Sequence, residues 1–494
     1  MGNREFSAVD GFIIDSCSSA GLTIKIRSVH MNRVTRIWIA LLGFYAGANC
    51  PLAIAADTPL NVLLVMADDI GFECFSSYGS REYSTPRIDA LAQQGIRFTN
   101  THSTPLCTPT RVNLMSGKSN VFNYQDFGIY PHGEPTFASH FRQHGYRTAV
   151  AGKWQLQGKQ PGKGISPADA GFDSHCLWNI PGGARERYWK PSFVKNGQLM
   201  SLPPDTFGPD VMTEFLIDFM TQDNDQPFLA YYPMILVHDP FVPTPDSPDG
   251  IRTDKVKRTA GRMKQNYVDM VAYMDKCVGR LVDALDASGQ RSNTLVIFTG
   301  DNGTNASLTS ELNGRTVKGG KGYTHDYGTH VPLVVNLPGI IPFGQVNEDL
   351  IAFSDFFPTI VEAAALPGKD VKNGDGWSFW PQCLAQPGRK REWIYGYYFP
   401  RPYAGKLDNK YSHYEVRYAR DKRYKLYGNG DLYDTANDVM EQTPLPTNRN
   451  ESTLAAVREN LQRALDAYPA KGQAVNHEKV SDRLKAGAQK RSNY

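Results

Sequence analysis

Apolar residues in the central part of the chain alternate between short continuous runs and stripes at helical spacing. The run Asn61-Val-Leu-Leu-Val-Met-Ala67 has the length of a strand and ends at Asp68-Asp69. Similar runs predict further strands at residues 147–151, 228–233, 294–298 and 331–336. Stripes between them predict helices at residues 85–95, 136–144, 209–222 and 263–285. This alternation predicts an α/β domain with a mostly parallel central sheet flanked by helices.

The pattern changes near Gly374, where loops rich in glycine, tryptophan and proline begin. Short apolar stretches then predict antiparallel strands at residues 393–399, 416–420 and 424–427, followed by a helix at 452–468. We therefore expect a catalytic domain over 57–375, a smaller C-terminal α+β subdomain over 376–470 and a mobile tail over 471–494.

The N-terminal region has the layout of a secretory signal peptide over residues 31–56. A basic stretch at 31–36 precedes an apolar stretch at 37–48, and small residues follow at 53–56. The apolar stretch is too short to span a bilayer as a helix. The sequence thus predicts export to the periplasm or the medium, with residues 1–30 as an upstream extension.

Composition adds little about partners. The 53 lysines and arginines against 50 acidic residues leave a net charge of +3, which favours neither nucleic acid nor stable membrane association. After removal of a signal peptide the cysteines are Cys74, Cys107, Cys176, Cys277 and Cys383. Their irregular spacing leaves disulfides and buried free thiols both open.

Two acidic clusters directly follow apolar strands. Asp68-Asp69 ends the first strand, and Asp301-Asn302 comes just after the strand at 294–298. The carboxyl ends of parallel strands are where an α/β sheet binds ligands, so these residues can share one site. They offer only oxygen ligands, which favours Ca²⁺, with Mg²⁺ as the weaker choice, although an acidic pair after a strand can also be a helix cap or a surface turn.

The stretch Cys107-Thr-Pro-Thr-Arg111 carries the resemblance to a known family. From about Leu60 to Tyr433 the chain resembles the formylglycine-dependent, arylsulfatase-like sulfatases of the alkaline-phosphatase-like superfamily. Its Cys-x-Pro-x-Arg maturation motif is complete. The other matching motifs are Asp68-Asp69-Ile70-Gly71, Thr85-Pro86, Gly152-Lys153-Trp154, His238-Asp239-Pro240, Asp301-Asn302-Gly303, Gly319-Gly320-Lys321-Gly322 and Asp431-Leu432-Tyr433-Asp434.

The resemblance implies a nucleophile at Cys107. A formylglycine-generating maturation enzyme would oxidise the thiol to an aldehyde, whose hydrated form attacks the sulfur of a sulfate ester. The resemblance also implies that residue 107 binds Ca²⁺ together with Asp68, Asp69, Asp301 and Asn302.

The same resemblance implies roles for the cationic residues. Lys153 and Lys321 would neutralise the sulfate oxygens, and Arg111 would steady residue 107 and its turn. His238 would protonate the leaving group as a general acid.

Two departures from the family pattern concern proton handling and substrate contact. Gln155 stands where many relatives have histidine after Gly-Lys-Trp, and an amide cannot take the proton in the elimination step. His102 is a conceivable substitute. In the loop after Lys321, His325 and His330 are candidate substrate contacts or ordinary packed residues.

The function expected from the resemblance is hydrolysis of sulfate monoesters, with aryl sulfates as assay substrates and sulfated carbohydrate as the natural class. A phosphonate or phosphate ester hydrolase of the same superfamily is the first alternative. A non-catalytic protein that binds sulfated glycans is the second, and only Gln155 favours it. The aromatic stretches Trp178–Trp189 and Tyr395–Tyr403 are either sugar-stacking surfaces or core.

Overall fold

The computed structural model describes residues 59–158, 162–183, 186–368, 371, 374–398, 416–446 and 452–468. The predicted upstream extension, signal peptide and mobile tail lie outside these residues. The boundary predicted near residue 375 stays a prediction.

The strands form one large sheet and two small ones in this part of the chain. Their bounds are β1 Asn61–Ala67, β2 Ile96–His102, β3 Arg147–Lys153, β4 Ser174–Trp178, β5 Val194–Lys195, β6 Gln198–Leu199, β7 Phe228–Pro233, β8 Thr294–Gly300, β9 Thr309–Leu312, β10 Arg315–Lys318, β11 His330–Asn336, β12 Gln345–Ala352, β13 Ile394–Tyr398, β14 Val416–Arg420, β15 Tyr424–Tyr427 and β16 Leu432–Asp434. The large sheet has ten strands in the order β12-β2-β11-β8-β1-β7-β3-β4-β5-β6.

Helices flank this sheet. They are α1 Pro86–Gln93, α2 Cys107–Ser116, α3 Asn120–Asn123, α4 Phe137–Gln143, α5 Gly208–Met220, α6 Ala260–Ala287, α7 Asp326–Thr329, α8 Phe356–Ala363, α9 Trp380–Cys383 and α10 Ser452–Asp466, with short 3-10 helices at Phe72–Cys74, Ser76–Tyr78, Arg291–Asn293 and Phe353–Asp355. Among the helices described, none combines the length and apolar character needed to cross a membrane.

The predicted α/β class is confirmed, and the sheet is mixed. Strands β8, β1, β7, β3 and β4 run parallel at its centre, whereas β11, β5 and β6 run antiparallel to their neighbours. Each strand and helix predicted between residues 61 and 336 is present. The parallel centre brings the carboxyl ends of β1, β3, β7 and β8 to one edge, where a site can form.

The central strands are apolar throughout because both of their faces are buried. Leu63, Val65 and Ala67 of β1 pack into one core layer, while Val62 and Leu64 pack into the layer on the other face. A strand buried on both sides has no polar face, so its sequence reads as a continuous apolar run.

Helix α6 covers one of these layers. Its buried face includes Tyr267, Met270, Met274 and Leu281, which join the same core cluster as Leu63. The methionines and aromatics of this stripe are therefore core residues.

The five cysteines in the described part of the chain are buried and free. The free-thiol alternative therefore holds for them. No disulfide joins the described residues, so their fold is held by burial and polar pairing.

A smaller antiparallel sheet, β13-β14-β15-β16, forms the C-terminal part together with α10. Two of its cations reach back to the segment 324–326 of the large domain. Arg420 pairs with Asp326, while Lys425 donates to Thr324 O over 2.7 Å and pairs with Glu441. Since Lys425 and Arg420 are almost fully buried, these bonds fix the segment that follows Lys321.

We predict that Lys425→Ala lowers the free energy of unfolding by about 3–5 kcal/mol, because it leaves the buried Glu441 carboxylate without its cation. The control is Arg463→Ala, which removes an exposed pair with Glu459 and is expected to cost less than about 1 kcal/mol. Chemical denaturation of the two variants measures both. Equal, small losses would show that the Lys425 pair does not hold the two parts together.

Candidate active site

The two predicted acidic clusters meet at the carboxyl edge of the sheet. Asp68 and Asp69 follow β1, while Asp301 and Asn302 follow β8, the parallel neighbour of β1. All four residues are fully buried. The backbone N–H of Asp69 donates to Asp301 Oδ1 over 3.0 Å, which ties the two clusters together.

Asn302 is oriented by its amide group. Its Nδ2 donates to Asp69 Oδ1 over 2.9 Å. Its Oδ1 atom is buried and has no hydrogen-bond partner among the described residues. A buried amide oxygen without a donor costs free energy unless another group, such as a cation, binds it.

Three cations surround the carboxylates. Lys153 Nζ, at the end of β3, lies 2.8 and 3.1 Å from the two oxygens of Asp68. Lys321 Nζ donates to Asp69 Oδ2. Arg111 donates to Asp301 Oδ2 over 3.3 Å and to Lys153 O over 2.6 Å, so it links helix α2 to β3 and β8.

The carboxylates differ in how easily they ionise. Burial opposes ionisation of Asp68, but Lys153 and the other nearby cations hold its pKa well below the ordinary value. Burial and the neighbouring Asp68 carboxylate raise the pKa of Asp301. An additional cation bound beside Asp301 would favour its ionised form and so offset the effect of burial and of Asp68.

Cys107 is the first residue of helix α2 and lies beside the acidic cluster. Ligand atoms of Asp68, Cys107 and Asp301 lie within 4.8 Å of one another. The Cys107 thiol donates to Gln155 Oε1 over 3.1 Å. Burial raises the pKa of this thiol, so it is protonated near neutral pH.

His238 lies between Lys321 and Asp239. Its Nδ1 lies 2.7 Å from Asp239 O and 3.1 Å from Arg187 Nη2. Its Nε2 lies 3.0 Å from Lys321 Nζ and faces the acidic cluster. The structure therefore brings all of the predicted site residues together around one point.

His102, His325 and His330, which the sequence offers as a substitute base and as candidate substrate contacts, form a separate group. His102 contacts Thr329 over 3.4 Å and Arg420 over 3.2 Å, and its ring centroid is 4.8 Å from that of His330. Burial lowers the pKa of His325 and of His330 to about 4. These neutral rings lie in the segment that follows Lys321, and their packing helps to hold the loop that carries Lys321.

The aromatic residues of the stretches Trp178–Trp189 and Tyr395–Tyr403 lie partly in the core and partly at the edge of the site. Trp189, Tyr395, Tyr397 and Tyr398 are buried, and residues 399–403 lie outside the described part of the chain. Trp178 is half-buried and pairs in register with Lys153. It thus lies next to Lys153 in the sheet, while the buried Tyr188 donates to His238 O.

Sequence reasoning missed Arg187, which lies 3.1 Å from His238 Nδ1 and donates to Asp239 O. No motif or periodicity marks this arginine, because its neighbour His238 is distant in the sequence. Helix α2 was also missed. Nearly all of its residues are buried, so it has no apolar stripe to reveal it.

The donor set fits a hard metal ion. Ligand atoms of Asp68, Asp69 and His238 lie within 4.8 Å of one another, as do those of Asp68, Cys107 and Asp301. The nearby Asn302 Oδ1, buried and without a partner among the described residues, is available to an ion. Oxygen ligands of this kind suit Ca²⁺ or Mg²⁺. The acidic cluster can therefore bind a metal beside residue 107.

The site thus combines a buried acidic cluster, the buried Cys107 and two lysines that pair with Asp68 and Asp69. The family described as Sulfatase matches residues 60–366, more than half of the 494 residues. The family described as N-sulphoglucosamine sulphohydrolase, C-terminal, matches residues 320–471. This chain belongs to the sulfatase family and is a sulfuric ester hydrolase.

Curated relatives agree with this family. The chain is 30% identical over 397 residues to arylsulfatase A of Bos taurus, a match that covers 73% of this chain and 74% of that protein. It is also 30% identical over 352 residues to the uncharacterized sulfatase YdeN of Escherichia coli. That match covers 64% of this chain and 60% of YdeN, so it spans less than two thirds of that relative.

Solved structures share the fold. Ps i-CgsB, solved in complex with k-i-k-neocarrahexaose, superposes with a TM-score of 0.69 at 23% identity, covering 87% of this chain and 98% of that chain. The phosphonate monoester hydrolase of Agrobacterium radiobacter superposes with a TM-score of 0.61 at 23% identity, covering 83% and 95%. The fold alone therefore does not separate sulfate from phosphonate chemistry.

Gly152 sets the path of the backbone into Lys153, and we predict that Gly152→Ala disables the site. Its φ is +127°, and an added Cβ would lie 1.9 Å from Pro233 O of the neighbouring strand. Relief of that clash must shift β3 and Lys153. We expect kcat/KM for an aryl sulfate to fall at least about a hundredfold, that is about 2.7 kcal/mol in transition-state binding.

The matched control is Gly145→Ala. Gly145 also has a positive φ, +84°, but open space surrounds the added methyl group. This variant is expected to lose about 1–2 kcal/mol of stability while keeping its kcat/KM. Full activity of Gly152→Ala would contradict the proposed dependence of Lys153 on this close approach.

Proposed function

We propose that this protein hydrolyses sulfate monoesters of carbohydrates, with a formylglycine at position 107 as nucleophile and a calcium ion bound by Asp68, Asp69, Asp301 and Asn302. The observation that carries the proposal is the convergence of Cys107, Asp68 and Asp301 within 4.8 Å. Lys153 and Lys321 add two positive charges at the same point.

The state of residue 107 supports a modified nucleophile. The unmodified thiol is buried and protonated, so it is a poor nucleophile at neutral pH. Formylglycine at this position supplies a hydrated aldehyde whose hydroxyl group attacks sulfur and whose second hydroxyl allows sulfate to be expelled. Because Cys107 exposes only 2% of its surface, a maturation enzyme must act on it before the chain folds.

The lysines are suited to hold the sulfate group. Bound calcium supplies a further positive charge that favours the deprotonated hydroxyl and the sulfate oxygens. Lys153 pairs with Asp68 and Lys321 pairs with Asp69, so the carboxylates position the two ammonium groups. In return, the lysines offset the negative charge of the carboxylates. Arg111 is held at both ends by Asp301 and Lys153 O, so it positions helix α2 and residue 107.

His238 is suited to act on the leaving group. Its Nδ1 lies against Asp239 O and Arg187 Nη2, which directs Nε2 into the site beside Lys321. For the acid role, the ring must carry a proton at Nε2 when substrate is bound, and that proton passes to the departing alcohol oxygen. Gln155 accepts a hydrogen bond from residue 107 and so orients it, but its amide cannot remove a proton.

The carbohydrate class is supported by the match to the family described as N-sulphoglucosamine sulphohydrolase, C-terminal, and by the carbohydrate named with Ps i-CgsB. The N-terminal layout predicts an exported enzyme, which would meet sulfated carbohydrates in the periplasm or the medium. Phosphonate hydrolysis is the alternative that shares the fold, and comparing turnover of an aryl sulfate with that of a phosphonate monoester separates the two.

The first test concerns Cys107. In enzyme produced together with a maturation partner, we expect the peptide that contains residue 107 to be about 18 Da lighter than the cysteine form, as conversion of thiol to aldehyde requires. Mass spectrometry of the digested protein measures this. An unmodified peptide from the native host would support the non-catalytic, glycan-binding alternative.

The matching variant is Cys107→Ala, which removes the nucleophile and is expected to lower kcat by at least about ten-thousandfold. Cys277→Ala is the control, since Cys277 is an equally buried free thiol in helix α6, away from the acidic cluster. Activity of Cys107→Ala within tenfold of that of the control would contradict the assignment.

The second test concerns the metal. We predict that EGTA lowers both kcat and the melting temperature, and that Ca²⁺ restores both more effectively than Mg²⁺. At a calcium concentration a hundred times Kd, the stabilisation is expected to be about 2.7 kcal/mol.

Asp301→Ala should abolish the shift in melting temperature that calcium produces. Asp283→Asn, which alters an exposed pair with Arg87, should leave it intact. A calcium-dependent shift that persists in Asp301→Ala, or equal restoration by Mg²⁺, would argue against this calcium site.

A further inference from the structure

Arg187 is a buried cation with no ion-pair partner among the residues that the structure describes. It exposes 7% of its surface. Its Nη2 donates to Asp239 O, but the Asp239 carboxylate pairs with His238 and with Arg258. Buried charges are normally paired, because an uncompensated one loses its hydration. Arg187 acts electrostatically on the carboxylates of Asp239 and Asp254 without forming an ion pair with either, so an anion from outside the chain can still pair with it.

The position of Arg187 relates it to the reacting group. Lys321 Nζ lies 3.0 Å from one nitrogen of His238, and Arg187 Nη2 lies 3.1 Å from the other. Arg187 is thus one imidazole ring farther from the acidic cluster than Lys321. Under the proposed function His238 lies on the leaving-group side of the substrate. Arg187, which lies beside His238, is then positioned to contact the leaving group.

The guanidinium group is held by an aromatic ring. Its Cζ lies 4.4 Å from the ring centroid of Trp178, which is half-buried at the end of β4. Trp178 pairs in register with Lys153, so the stacked arginine borders the same opening as the catalytic lysine. Stacking fixes the plane of the guanidinium group, and its edge can bind a carboxylate or a sulfate through two N–H groups.

We propose that Arg187, stacked on Trp178, forms a subsite for a second anionic group on the leaving group of the substrate. This inference rests on the proposed sulfatase activity and narrows its substrate class to sulfate esters that carry another carboxylate or sulfate. The competing explanation is that Arg187 only supports the turn at Asp239 by binding its carbonyl oxygen.

The experiment compares kcat/KM for four aryl esters: phenyl sulfate, meta-carboxyphenyl sulfate, its neutral analogue meta-carbamoylphenyl sulfate, and resorcinol bis-sulfate. We expect the wild-type enzyme to prefer the carboxylate or the bis-sulfate over the neutral analogue at least about tenfold. Which of the two is preferred distinguishes a uronate-like group from a second sulfate.

The variants are Arg187→Gln, Arg187→Lys and the control Arg258→Gln. Arg187→Gln should lower kcat/KM for the preferred anionic ester at least about tenfold more than for phenyl sulfate, and Arg187→Lys should keep part of the preference. Arg258 lies on the other side of Asp239 and is largely exposed, so its variant should keep the preference.

Two outcomes would overturn the subsite. The first is a wild-type enzyme that does not discriminate between the charged and neutral esters. The second is an Arg187→Gln variant in which all four substrates fall by the same factor, as a purely supporting role predicts. No turnover of any of the four esters by the matured wild type would instead count against the proposed function. Calorimetric binding of meta-hydroxybenzoate against meta-hydroxybenzamide would then decide the subsite without turnover.

Discussion

The structure depends on the compensation of three buried carboxylates at the carboxyl edge of one sheet. Asp68, Asp69 and Asp301 lose their hydration completely, and each receives a cation from a different part of the chain. Lys153 comes from β3, Arg111 from helix α2 and Lys321 from the loop after β10. Since an unpaired buried charge costs several kcal/mol, any displacement of one element is opposed by the others. The same pairing gathers the groups that a sulfate ester and a metal ion require.

This compensation extends beyond the large sheet. The loop that carries Lys321 runs on to Thr324 and Asp326, which are bound by Lys425 and Arg420 of the C-terminal sheet. His102 and His325, which are buried, and His330, which is half-buried, lie behind that loop, and the loss of hydration lowers the pKa of each ring. The C-terminal part therefore has a direct effect on the site, since it fixes the loop that carries one of the two lysines beside the acidic cluster.

The environment of residue 107 also explains why an ordinary cysteine would serve poorly there. A nucleophile in this position must lie beside buried carboxylates, and a thiolate would add a further negative charge to them. Burial and that charge keep the thiol protonated. A neutral aldehyde that hydrates avoids this conflict. Gln155, which is also neutral, can orient residue 107 without adding charge, but it leaves the proton of the elimination step to another group.

The sequence by itself determined the parallel centre of the sheet, because strands such as β1 and β8 are buried on both faces and read as continuous apolar runs that end in acidic residues. Its local motifs, through their resemblance to the sulfatase family, also predicted that residue 107, the acidic clusters and the two lysines share one site, and the structure brings these residues together. Only the tertiary structure decided that Arg187 lies beside His238, that His102 belongs to the support of the Lys321 loop, and that helix α2 is enclosed on every side. These features depend on contacts between residues far apart in the chain, and such contacts leave no periodicity in the sequence.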